Sequence, residues 1–355
     1  MQPYLNNHTA RYADRQAINT LANSPAPVQR IASGQALHVG LLSNPHSGRN
    51  RRRFQKISKL LVDYPWVQHR EVQTPVDIRA ALDDFADKGL DLLAINGGDG
   101  TVQATLTMLL HHKPLTPLPL LAILPGGSTN MTAGDVGLPG NHQKALSKLL
   151  RWASAKHQPA QILQRPILRV RSASHGQPLY GMFFGAGTIV KGIHFCHQRV
   201  YSLGLRHEWA SGLATLRVMA AIARRDPAYT APATIQVSLN QHQPLAQQKF
   251  LLLLISTLRR LFFGLRPYWG SGTGALQYTA VQANSAHALL AIPPLLWGRP
   301  NRFGTPENGY ISQNVNEVQL IMDSPFTLDG EIYPVDSRAG PVVVDQGGPI
   351  TFIRL

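Results

Sequence analysis

Leu92-Leu93-Ala94-Ile95 is a short apolar run with no polar face, and it breaks directly into Asn96-Gly97-Gly98-Asp99-Gly100-Thr101. Behind that run, Val102, Leu106, Leu109 and Leu110 follow the i, i+4, i+7, i+8 spacing of a helix with one apolar stripe. A strand, a glycine loop and a helix in that order leave few folds open. Glycine lets the backbone come close to a ligand, and the first amides of the helix aim unpaired N–H groups at whatever sits in the loop. A phosphate suits such a loop. An aspartate inside it would repel phosphate unless a divalent cation or a proton transfer employs it. Asp99-Gly100 also matches the commonest hairpin-turn signal, but a hairpin needs a second strand and the chain continues as an amphipathic helix.

The pattern recurs. Leu120 to Leu124 reads as another buried strand, followed by Pro125-Gly126-Gly127-Ser128-Thr129-Asn130, whose small hydroxyl and amide groups suit phosphate or ribose oxygens. Upstream, Val39-Gly40-Leu41-Leu42 runs into Asn44-Pro45-His46-Ser47-Gly48. Three polar glycine loops, each after an apolar strand, fit ligand binding at the carboxyl edge of an open parallel sheet.

The residues before about 36 are polar, with Ser24-Pro25-Ala26-Pro27, and read as a loosely ordered arm over 1–35. From 36 to 164 the chain alternates. The pattern predicts strands at 37–43, 68–73, 91–95 and 119–124, and helices at 51–62, 76–88, 101–112 and 141–156. From 165 to 334 it turns β-rich, with strands expected at 167–171, 234–239, 249–256, 277–282 and 317–322. Within that part, 192–225 reads as a helical insertion and 286–297 as an apolar segment broken at Pro293-Pro294.

With 34 Lys and Arg against 19 Asp and Glu the formal charge is +15, which favours anionic partners. Basic clusters fall at Arg49, Arg51, Arg52, Arg53, Lys56 and Lys59, at Arg217, Arg224 and Arg225, and at Arg259, Arg260 and Arg266. Cys196 is the single cysteine, so no intramolecular disulfide forms and a reducing compartment is expected. The start lacks a secretory signal pattern, and apolar runs such as Phe250 to Ile255 fall far short of the roughly 20 residues that span a bilayer. No Gly-x-x-x-x-Gly-Lys-Ser/Thr run and no Gly-x-Ser-x-Gly elbow is present, and the histidines show no metal-ligand spacing. With aromatics at 7% and no RNP-like or zinc-finger spacing, nucleic acid is not an expected partner.

Together, Asn44-Pro45-His46-Ser47-Gly48, Gly97-Gly98-Asp99-Gly100-Thr101, Pro125-Gly126-Gly127-Ser128-Thr129-Asn130 and the late Leu328-Asp329-Gly330-Glu331 resemble the diacylglycerol kinase catalytic-domain family, which includes bacterial lipid kinases and sphingosine and ceramide kinases. The glycine-aspartate run is shared with NAD kinases; the late Asp-Gly-Glu in a β-rich part moves the balance toward lipid kinases. The resemblance implies an α/β nucleotide domain, a C-terminal β-sandwich domain, an ATP cleft between them, and a segment 335–355 that returns to the first domain. It implies Asn44, Ser47, Gly48 and Thr74 at the nucleotide, and Gly97, Gly98, Asp99, Gly100, Thr101 and Ser128 at the phosphates, with Asn130 also among the cofactor-binding residues. Glu331 resembles the family's proton acceptor from the lipid hydroxyl, and Asp99 a support for Mg²⁺ or an orienter of the acceptor.

The implied function is ATP-dependent phosphorylation of a membrane-lipid hydroxyl, in a cytoplasmic protein held on the inner membrane surface by its basic clusters. A non-catalytic nucleotide- or lipid-binding regulator and an NAD kinase-like enzyme are the alternatives, and a homodimer is left open. Two positions depart from the pattern. Met131 stands where the family often has Asp, with Asp135 the next carboxylate, and Thr273-Gly274 stands where an Asp-Gly turn usually holds a structural magnesium, which is therefore not expected here.

Overall fold

The computed structural model describes residues 33–48, 50–154, 160–195, 232–242 and 246–355, together with Pro27, Arg30 and Ile31. Most of the 1–35 arm, Cys196 and the greater part of the 192–225 insertion lie outside the described residues.

Four strands, β1 (Val39–Ser43), β2 (Gln68–Glu71), β3 (Leu92–Gly97) and β4 (Leu120–Pro125), form a parallel sheet in the order β2-β1-β3-β4. Period-two alternation in β3 and β4 explains why neither has a polar face. Leu93, Ile95, Leu121 and Ile123 enter one core with helices α2 (Pro75–Lys88) and α3 (Asp99–His111). Leu92, Ala94, Leu120, Ala122 and Leu124 enter the opposite core with α1 (Asn50–Leu61) and α5 (His142–Ala153). Between β4 and α5 lies the short helix α4 (Met131–Val136). The start of α2 follows from its sequence: Pro75 takes the first turn and Thr74 and Asp77 form a reciprocal capping box.

The rest of the chain is antiparallel: β5 (Gln161–Arg171), β6 (Leu179–Gly181), β7 (Phe183–Gly187), helix α6 (Thr188–Phe195), β8 (Ala233–Leu239), β9 (Gln248–Ser256), β10 (Leu276–Gln282), helix α7 (Ala288–Leu295), β11 (Tyr310–Val315), β12 (Glu317–Met322), β13 (Phe326–Leu328), β14 (Glu331–Tyr333) and β15 (Val342–Arg354). Their inward residues, among them Leu168, Phe184, Ile235, Val237, Phe250, Ile255, Tyr278, Leu320 and Phe326, enclose a second core. The architecture is thus a parallel α/β core followed by antiparallel strands, the fold class expected.

One long strand joins the two parts. Over its first half β15 pairs with β12, along its length it runs antiparallel to β5, and near its end Phe352 lies beside Leu121 of β4 in parallel. Every strand among the described residues therefore belongs to one mixed sheet. β5 likewise crosses position 164/165 without a break. Asp345 of β15 ties them together, accepting two bonds from Arg169 at 2.7 and 2.8 Å and one from Arg171 at 2.8 Å.

Helix α3 departs from expectation in two ways. It starts at Asp99 rather than 101, which puts the glycine-aspartate run inside its first turn. It is also buried beyond one apolar stripe, because Gln103, Thr105 and Thr107 are covered as well. The Thr107 hydroxyl accepts from the Tyr180 amide at 3.0 Å, and Gln103 accepts from the Tyr333 hydroxyl at 3.2 Å. The antiparallel part packs on that face, and its hydrogen bonds make polar residues tolerable there.

Candidate active site at the carboxyl edge of the parallel sheet

All three glycine loops leave the same edge of the sheet and touch one another. The Asn44 amide N–H donates to the Asn96 carbonyl at 3.0 Å, and the Asn44 side-chain amide donates to the Thr101 hydroxyl at 3.1 Å. The Ser47 hydroxyl lies 3.1 Å from the Asn44 carbonyl and 3.2 Å from that of Gly126. A Cβ on Gly48 would overlap the Ser128 hydroxyl, and one on Gly98 would stand 3.4 Å from the Gly127 Cα. Gly127 in turn packs so closely on Gly98 that a side chain there would strike backbone at 2.5 Å. The backbones pass at this distance because position 127 is glycine.

Asn50 holds the assembly together. It is fully buried, and its side-chain NH₂ donates to the carbonyls of Asn44 and Asn96 at 2.9 Å each. Two loops that could otherwise separate share one donor group. Sequence reasoning passed over Asn50; its signal was an amide two residues past a loop glycine at a helix start. Asn130 clamps the second loop from within, accepting from the Gly127 amide at 2.7 Å and donating to the Gly127 carbonyl at 2.8 Å. Its side chain is thus spent on loop shape. Thr74 sits past the carboxyl end of β2 on the same edge, with its hydroxyl accepting from the Asp77 amide at 3.2 Å.

Asp99 opens α3 and turns its carboxylate onto the start of α4. One oxygen accepts from the Thr132 amide at 2.9 Å and the other from the Met131 amide at 3.1 Å. Burial pushes the Asp99 carboxyl above the usual carboxylate range, against the pull of those two donors. Met131 therefore contributes to the site through its backbone. Asp135 does not turn toward the loops; it accepts from the Arg259 amide at 2.9 Å.

From the antiparallel part, the β13–β14 hairpin reaches over the first turn of α3. Leu328 pairs with Glu331, and between them Asp329 (φ 50°) and Gly330 (φ 96°) make a two-residue turn with both φ positive. The Asp329 carboxylate is buried and accepts from the Met182 and Phe183 amides at 2.9 Å each, which fixes the turn to the start of β7. Burial pushes this carboxyl up to about 8, with the nearby Asp99 charge adding to the rise. The turn delivers Glu331, whose carboxylate lies against Gly100 so closely that a Cβ there would overlap Oε1. Glu331, far away in the chain, thus rests on the residue that follows Asp99.

The donor set suits Mg²⁺ in chemistry. Mg²⁺ typically takes one or two carboxylates plus phosphate oxygens and waters, and Asp99 offers one such carboxylate. A cation would also relieve the burial cost of the Asp99 charge. Among the described residues no group of three His, Cys, Asp or Glu side chains forms a dedicated all-protein site.

An open parallel sheet carries three interlocked glycine loops at its carboxyl edge, overhung by a carboxylate from the antiparallel part. Residues 38–162 match the family model of the diacylglycerol kinase catalytic domain, the segment that holds the three glycine loops. A curated protein of Stenotrophomonas maltophilia (strain K279a), "Probable lipid kinase YegS-like", is 37% identical over 62 residues, which cover 17% of this chain and 20% of that protein. The match thus spans about a fifth of the relative's length. A solved diacylglycerol kinase structure from Bacillus anthracis str. Sterne aligns over 89% of this chain and 96% of its own, with 17% identity and a TM-score of 0.56. A second solved chain from that organism aligns over 89% of this chain and 95% of its own, with 18% identity and a TM-score of 0.60. At such identities the likeness is one of fold.

Proposed function

We propose that this protein is an ATP-dependent lipid kinase that transfers the γ-phosphate to the hydroxyl of a membrane lipid, diacylglycerol-like or sphingoid. The observation that carries the reading is the Glu331 carboxylate resting on Gly100, beside the unpaired first-turn amides of α3.

Phosphoryl transfer asks a protein mainly for positioning and charge neutralisation. The amides of Gly98, Asp99, Gly100 and Thr101 supply donors for phosphate oxygens, and Ser128 adds a hydroxyl from the facing loop. The Asn44–Gly48 loop shapes the neighbouring wall for the nucleotide, with Thr74 at its outer end. Mg²⁺, held by Asp99 and the phosphates, would neutralise charge on the transferring group. Glu331 takes the proton from the lipid hydroxyl as the new P–O bond forms, help of a kind worth about 10²–10⁴-fold. Its position on an overhanging hairpin leaves it open to an acceptor arriving from outside the loops.

Incubation with γ-labelled ATP and a panel of acceptor lipids, with NAD in parallel, tests this reading. Label in a lipid product supports it. Label in phosphorylated NAD would transfer the protein to the soluble-substrate kinases, and tight ATP binding without turnover on any lipid would make it a regulator.

A further inference from the structure

The antiparallel domain displays large apolar side chains that its own core does not use. On the short helix α7, Ala291 and Leu295 are buried, while Leu289 and Leu290 are 70% and 54% exposed. Trp297, just beyond the helix, is 55% exposed. Phe263 is 59% exposed and held at φ 55°, a left-handed backbone that a bulky residue rarely adopts. The turn that carries Phe263 is tied to the end of α7, because the Arg266 amide donates to the Leu296 carbonyl at 2.8 Å. Four exposed apolar groups on two joined segments are more than scattered surface hydrophobics.

Their surroundings are cationic. Arg259, Arg266, Arg299 and Arg302 are exposed on the same two segments, and Arg302 stacks over Phe303 at 4.7 Å. Between Asp226 and Glu307 the chain contains no Asp or Glu at all. A soluble protein partner of mixed charge would have no use for a stretch so depleted in one sign. An anionic bilayer does: apolar side chains enter the headgroup layer while arginines engage lipid phosphates around them.

We propose that Leu289, Leu290, Trp297 and Phe263, ringed by these arginines, dock the protein on an anionic phospholipid surface. The patch adjoins the candidate cleft. The Arg260 guanidinium bonds the Gly134 carbonyl and the Arg259 amide bonds Asp135, so both hold the far end of α4, whose near end binds Asp99. Docking here would bring the cleft to the plane in which a lipid hydroxyl lies. The inference concerns binding alone and stands whether or not the chain is a kinase.

The test is sedimentation of the full chain, without nucleotide or acceptor, on phosphatidylcholine vesicles with and without phosphatidylglycerol. Binding is expected only to the anionic vesicles and to weaken with salt. Leu289→Ser/Leu290→Ser and, separately, Arg299→Glu/Arg302→Glu should each weaken it about tenfold or more. Val62→Ser, an equally exposed apolar site elsewhere, should bind as the parent does. Brominated acyl chains should quench part of the tryptophan emission, and Trp297→Phe should remove that part; this readout uses the unmutated patch, so it holds even if a double variant fails to fold. Equal binding by folded variants, absence of quenching, or an apolar variant that instead breaks a dimer in solution would overturn the proposal.

Discussion

The carboxylate of Glu331 lies on the backbone of Gly100, one residue after Asp99, although the two segments come from opposite parts of the chain. The same two segments are joined by the Tyr333 hydroxyl, which donates to Gln103 at 3.2 Å. The approach depends on a missing side chain at 100 and on a hairpin anchored by a buried aspartate.

Gly100→Ala isolates that approach. The added methyl group overlaps a carboxylate at the end of a flexible side chain, so Glu331 swings away at little cost, and alanine raises helix propensity by up to about 1 kcal/mol. Thermal unfolding should be unchanged or slightly higher while lipid phosphorylation falls at least about tenfold. A fully active variant would show that Glu331 does not need its observed position.

Asn50→Ala removes the donor shared by the Asn44–Gly48 loop and the loop that begins at Asn96. Each carbonyl loses one donor and keeps another, Asn96 the Asn44 amide and Asn44 the Ser47 hydroxyl, so each lost bond costs about 0.5–1.5 kcal/mol. Denaturant unfolding should show a loss of about 1–3 kcal/mol, and the KM for ATP should rise further than kcat falls.

The Asp329 carboxyl carries a pH signature. Its folded value, raised to about 8, stands above its ordinary 3.8, so across that window the folded state keeps a proton that the unfolded chain releases. Stability then falls as pH rises from about 4 to about 8. Asp329→Asn has no such titration and loses one of the two N–H acceptors. The stability advantage of the parent over the variant should therefore be largest near pH 4 and shrink toward pH 8, as read from melting temperatures across the series. A gap that widens with pH would mean that the two amide donors keep Asp329 ionised.

How much of this could be read from the chain depended on range. The parallel sheet was legible because β3 and β4 are apolar on both faces, and α2 because Thr74, Pro75 and Asp77 spell its start. The dipeptide Asp-Gly appears twice and means different things. At 99–100 it opens a helix; at 329–330 it is the hairpin turn that its composition advertises. The residues just after each dipeptide decide the outcome, an amphipathic helix in one case and a short strand in the other. Strands β6, β7, β11, β13, β14 and β15 are not marked by the sequence pattern; β6, β13 and β14 are only three residues long, β7 is glycine-rich, and β15 falls in a segment expected only to return to the first domain. The same applies to polar residues of α3, which are buried only because Tyr180 and Tyr333 arrive from elsewhere. Within the site, the loop glycines were readable. Asn50, and the commitment of Asn130 to Gly127, were not, since both are tertiary hydrogen bonds.

If Glu331 accepts the proton from the lipid hydroxyl at this cleft, single-turnover phosphorylation by Glu331→Gln must show it. The side chain is exposed and nearly isosteric after substitution, so fold and ATP affinity should be retained. Phosphoryl transfer at saturating ATP is expected to slow by about 10²–10⁴-fold. Transfer at the parent rate by a folded, ATP-binding Glu331→Gln protein would contradict the proton-acceptor role.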